Sequence, residues 1–136
     1  MSNYASLGIA PVPFTAGADL TAAQYKALRF SGQNVISNNG ASGAGFAGVL
    51  QNSPSSGEIA AVAVLGPAKA LCRTAGCNLV HGRYLAAASD GAFEVPTTAG
   101  SPVVARYWGA TLATAGASTV AEVFVFPAAL TMVGAS

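Results

Sequence analysis

The chain has 136 residues, of which 52% are apolar and only 8% are Asp, Glu, Lys or Arg, and its formal net charge is +1. That length suits one domain with a modest core, and the near-neutral balance excludes the basic stripe that a nucleic-acid face needs. Charged residues make up about a quarter of an ordinary soluble domain, so this surface is either neutral or covered by other chains.

In chain order, residues 1–18 come first. Pro11 and Pro13 at alternate positions forbid a helix and favour an extended path. Tyr4, Leu7, Ile9, Val12 and Phe14 place large apolar side chains on a stretch without a charged one. An extended N-terminal arm lying on a neighbouring subunit is the expectation, and these five residues are candidate contacts. The stretch lacks the basic start and long apolar run of a secretory signal. Later apolar runs, 59–72 and 120–135, are broken by Pro67 and Lys69 and by Glu122 and Pro127, so no membrane partner is expected.

Asp19 opens an ambiguous segment. Thr21 and Gln24 have the spacing of a capping box, but residues 24–31 alternate, with Lys26, Leu28 and Phe30 on one side and Tyr25, Ala27 and Arg29 on the other. At most one helical turn followed by a strand fits both signals. Further strands are predicted over 33–37, 45–50, 59–65, 67–73, 83–88, 92–95, 103–112 and 119–126. Turn signals separate them: Asn38-Asn39-Gly40, Pro54-Ser55-Ser56-Gly57, Asp90-Gly91, Gly100-Ser101-Pro102 and Gly116-Ala117-Ser118. Only 110–117, rich in Ala, fits either helix or strand.

Many short strands at recurring turns define an all-β fold, a compact small antiparallel β-barrel or sandwich. The expected division is an arm over 1–18, a β-rich domain over 19–127 and a tail over 128–136. In the last strand Val120, Phe124 and Phe126 share a face with Glu122, while Ala121, Val123 and Val125 take the other. A strand apolar on both faces is covered on both, which an oligomer would supply. Val103 to Trp108 makes the same point, and Tyr107 and Trp108 are either interface aromatics or core.

Catalytic grammar is sparse. His81 is the only histidine, and a Cys72 or Cys77 nucleophile paired with it is the sharpest enzymatic idea, but no orienting third residue or oxyanion-hole sequence accompanies it. Cys72 and Cys77 flank a short loop and read as two small half-buried thiols or as a bridged pair; one isolated pair makes a poor zinc site. Asp19, Glu58, Asp90, Glu94 and Glu122 are dispersed, mainly at turns. The run Gly40-Ala41-Ser42-Gly43-Ala44-Gly45 lacks the Lys and Ser or Thr of a phosphate loop. The expectation is no enzyme, no metal and no cofactor.

One ordered series carries more. Gly48-Val49-Leu50-Gln51-Asn52, then Pro54-Ser55-Ser56-Gly57-Glu58, then Val62-Ala63-Val64-Leu65-Gly66 resembles the head decoration, or cement, proteins of tailed double-stranded DNA bacteriophages. The likeness continues through Ala75-Gly76, Leu85 to Ser89, Asp90-Gly91 and Phe93 to Pro96, and covers about 17–126. It implies a protein that binds the outer surface of a phage capsid and bridges adjacent major capsid protein subunits. It also implies a homotrimer on the virion, assembled in the host bacterial cytoplasm. A second reading is a head-fibre base or adhesin-like module whose loop around 38–45 binds host glycans.

Overall fold

The computed structural model describes residues 11–37, 46–74, 77–88, 90–96, 102–114 and 116–131, with the backbone alone for 102 and 127–131. Among these residues there are ten strands and no helix: β1 Val12–Thr15, β2 Ala27–Ser31, β3 Asn34–Ser37, β4 Phe46–Leu50, β5 Ile59–Ala63, β6 Gly66–Arg73, β7 Tyr84–Ala87, β8 Phe93–Glu94, β9 Pro102–Tyr107 and β10 Ser118–Thr131. The chain is thus all-β, as the alternation and turn signals require.

The strands form two bodies on either side of one layer of side chains. The first is a five-stranded sheet of order β1-β5-β4-β2-β3, and the second is a closed barrel of order β10-β6-β8-β7-β9. Pairing is antiparallel throughout except where β6 meets β8 in parallel, Cys72 opposite Phe93. Closure leaves the barrel no bare edge. The sheet comes close to closing too, because Ala16 bridges Val35 and the Gly17 N–H donates to the Val35 carbonyl.

Each body has its own apolar interior. Val123, Val125, Val104, Leu85 and Phe93 fill the barrel, and Ala27, Phe46, Val49 and Ala63 from the sheet join the same cluster. The other face of the sheet buries Leu28, Val35, Leu50 and Val62 beneath Ala16, Leu20 and Ala23. Strands β2 and β4 therefore lie between two cores, which is why β4 is buried at every position and reads as a continuous apolar run.

Three expectations shift in detail. Residues 12–15 run extended, but they pair with β5 of their own sheet, Val12 opposite Val62 and Phe14 opposite Ala60; the arm expected over 1–18 is part of the sheet from Val12 onward, and residues 1–10 lie outside the described residues. At the other end β10 continues to Thr131, past the boundary expected at 127. At Asp19, where at most one helical turn was expected, there is a loop in which Asp19 Oδ1 accepts from the Thr21 N–H at 3.1 Å. That side-chain bond competes with a helix start, and Tyr25 at φ 69° then turns the chain into β2.

Tyr25 also joins the two bodies. Its N–H donates to Leu50 in the sheet at 2.7 Å, and its carbonyl accepts from Leu71 in the barrel at 2.8 Å. Gln51 makes a second joint: its Nε2 donates to the Lys69 carbonyl at 3.0 Å and its Oε1 accepts from the Lys69 N–H. Next to it, Asn52 clips β5, donating to Ile59 O and accepting from Ala61 N, each at 3.0 Å. The polar pair that follows Gly48-Val49-Leu50 is thus a fastening for strand ends.

Candidate binding surface

The barrel turns its aromatic residues outward along one stripe. β10 alternates strictly, so Val123 and Val125 enter the barrel while Phe124 and Phe126 stay outside, half-buried. Neighbouring strands supply companions. Trp108, just beyond β9, sits 5.2 Å from Phe124 between ring centroids at 48°, and Tyr84 of β7 lies 6.1 Å from Phe126. Arg106 of β9 places its guanidinium carbon 5.4 Å from the Tyr84 ring centroid, within cation–π range. Its Nε donates to the Gly82 carbonyl at 2.9 Å, which holds the stem over the ring.

Trp108 is 39% exposed, and Val120 on the same outer face is 46% exposed. Two depressions share the indole as a wall. One, of about 380 Å³, is lined by residues 107–112 and 119–122, among them Thr111, Thr119 and Glu122. The other, of about 260 Å³, is lined by Tyr84, Arg106, Trp108, Phe124 and Phe126.

The candidate contacts divide. Trp108 is on this surface, whereas Tyr107, its neighbour, points into the barrel at 1% exposure and donates its hydroxyl to Ala110 O at 2.6 Å. Tyr107 is therefore a core residue, and burial first, then Cys72 once that thiol ionises, pushes its phenol up. Val12 is exposed on the edge strand, and Phe14 packs on the second core with an edge-on contact to Phe30 at 5.5 Å. Tyr4, Leu7 and Ile9 lie outside the described residues, as does the loop at 38–45.

Cys72 is not placed as a reactive thiolate. Cys72 and Cys77 are free, with Cys72 buried, its thiol directed to Ala70 O at 3.5 Å. Burial pushes that thiol up to about 12, so almost none is thiolate at neutral pH. His81 instead has Nδ1 3.2 Å from the Trp108 carbonyl. Among the described residues no group of three or more His, Cys, Asp or Glu has the arrangement of a metal site.

Two of the dispersed carboxylates converge in a way the sequence did not disclose. Arg73 donates from Nη1 to Asp90 at 2.6 Å and from Nε to Glu94 at 2.9 Å. The Glu94 hydrogen bond is the main reason the guanidinium is held above its ordinary range. At Asp90 burial works against ionisation, but the Ala92 N–H and Arg73 outweigh it and hold the carboxyl below its usual range. This cluster pins the Asp90-Gly91 turn to β6, and that turn in turn accepts the Ala27 N–H of β2 at 2.8 Å.

No protein-family model matches the chain, and no curated protein matches it.

Proposed function

We propose that this chain is a structural protein of a tailed phage head, a decoration protein that binds the outer capsid surface and stabilises it by bridging adjacent major capsid protein subunits. It acts without catalysis, as a homotrimer on the virion. The observation that carries the reading is an all-β body that leaves large apolar side chains exposed on its five-stranded sheet, Val12, Phe30 and Ile59, while Arg73, Asp90 and Glu94 neutralise one another.

Contacts made through such side chains are poor in charge and carry little desolvation cost. The edge strand β1 and the uncharged residues before it, with Tyr4, Leu7 and Ile9, add contact area across a neighbour. The likeness of 48–66 to the decoration family points the same way, and in this chain those residues fasten sheet to barrel through Gln51 and clip β5 through Asn52.

The test adds purified protein to expanded heads stripped of it and follows co-sedimentation together with the temperature at which the heads release DNA. Saturable binding and a higher release temperature are expected, with weaker binding when residues 1–10 are deleted. Heads that neither bind the chain nor gain stability would contradict the proposal.

A further inference from the structure

We infer that the groove on either side of Trp108 is a binding site for a neutral oligosaccharide. This is a second function, separate from attachment to a shell, and it rests on the chemistry of the lining.

The groove offers ring faces and hydrogen-bonding groups in alternation. Trp108 and Phe124 pack against each other, 5.2 Å apart between centroids, with the indole 39% exposed, and a ring face is the negative pole of its quadrupole. The axial C–H groups of a pyranose carry slight positive charge and pack flat on such a face. On one side of Trp108 lies Arg106, its Nε bonded to Gly82 and its terminal nitrogens engaged by no hydrogen bond among the described residues. On the other side lie Glu122, Thr111 and Thr119.

Arginine only donates and an ionised carboxylate only accepts. A ligand that satisfies both along one groove needs groups that do either, which is what a row of sugar hydroxyls supplies. A flat apolar partner would leave Arg106 and Glu122 covered and unpaired, a costly outcome. Arg106 and Glu122 are the charged side chains among the lining residues, with Lys69 across the ladder from Glu122, and a neutral ligand meets all three without a like-charge contact. The larger depression, about 380 Å³, falls within the usual range for small-molecule sites, about 300–1,000 Å³, and the smaller one extends it beyond Trp108.

Trp108 is the only tryptophan, so its fluorescence reports this site alone. The experiment titrates the full-length protein with neutral trisaccharides of glucose, galactose and N-acetylglucosamine, reading indole emission and saturation-transfer NMR. A saturable change with at least one of them is expected, with a dissociation constant in the millimolar range. Arg106→Gln and Glu122→Gln should each weaken it about tenfold, and Glu122→Gln should do so without changing the melting temperature. A flat response to all three, a response shared equally by both variants, or a response only to a uronate trisaccharide would overturn the inference. So would a Trp108→Ala protein that loses attachment to heads while the wild type shows no sugar response, since the groove would then be a shell contact.

Discussion

Trp108 and Tyr107 are adjacent in sequence and opposite in fate: the tyrosine closes the barrel interior at 1% exposure, and the tryptophan leans on Phe124 outside it at 39%. Strand β9 ends between them, because Trp108 leaves the β9 ladder and Gly109 then packs where a side chain would strike the Tyr107 ring. Truncation should separate the two roles. Tyr107→Ala is expected to cost about 3–5 kcal/mol, with the Ala110 carbonyl losing its donor. Trp108→Ala should cost less than about 1 kcal/mol. Urea denaturation followed by far-ultraviolet circular dichroism measures both.

Gly48 and Gly57 both have positive φ but differ in their surroundings. At Gly48, φ 150°, a Cβ would collide with the Ala63 carbonyl oxygen and lie 2.7 Å from Val62 Cγ1. At Gly57, φ 84°, there is open space. Gly57→Ala should therefore cost only the backbone preference, about 1 kcal/mol. Gly48→Ala must displace β5 and is expected to cost several times as much, or to yield no folded protein. Comparing the two unfolding midpoints checks this.

The amide of Asn52 serves both an N–H and a carbonyl of β5, at Ala61 and Ile59. Asn52→Ala leaves both without their partner and should destabilise by about 1–3 kcal/mol. Asn52→Asp should restore only the bond from the Ala61 N–H, because a carboxylate cannot donate to Ile59. Amide hydrogen exchange at Ala61 should accelerate in the alanine variant more than in the aspartate variant.

Cys72 sets an alkaline limit on stability. Its folded value of about 12 lies above the ordinary 9.0, so the folded state keeps a proton that the unfolded chain loses. The contribution is whole below pH 9 and disappears as pH rises toward 12, at about 1.4 kcal/mol per pH unit. Cys72→Ala should flatten that limb in urea titrations between pH 9 and 11. In the native protein at pH 8 a thiol reagent should label Cys77, which is half-buried, well before Cys72.

Much of this was legible in the residues, and the exceptions have physical causes. Strands β3 to β7 fell within one or two residues of their turn signals, since Gly and Pro punctuate them. The Asp19 to Gln24 segment stayed ambiguous because a capping box and an Asx turn share residue types, and the choice depends on Tyr25 adopting a left-handed conformation. Alternation in β10 correctly separated Val123 and Val125 from Phe124 and Phe126, but gave no hint that Tyr84 and Arg106, from β7 and β9, would complete the outer surface. That requires barrel order, and a parallel contact such as β6 with β8 leaves no mark in local sequence. Tyr107 and Trp108 could not be told apart without knowing where β9 ends.

The central claim is that the chain decorates a capsid lattice, and copy number tests it most directly. Purified particles of the virus that encodes it would be analysed by quantitative mass spectrometry against the major capsid protein. The account predicts hundreds of copies, near parity with the shell subunit. Complete absence from particles, or only a dozen or so copies, would contradict a lattice-wide role.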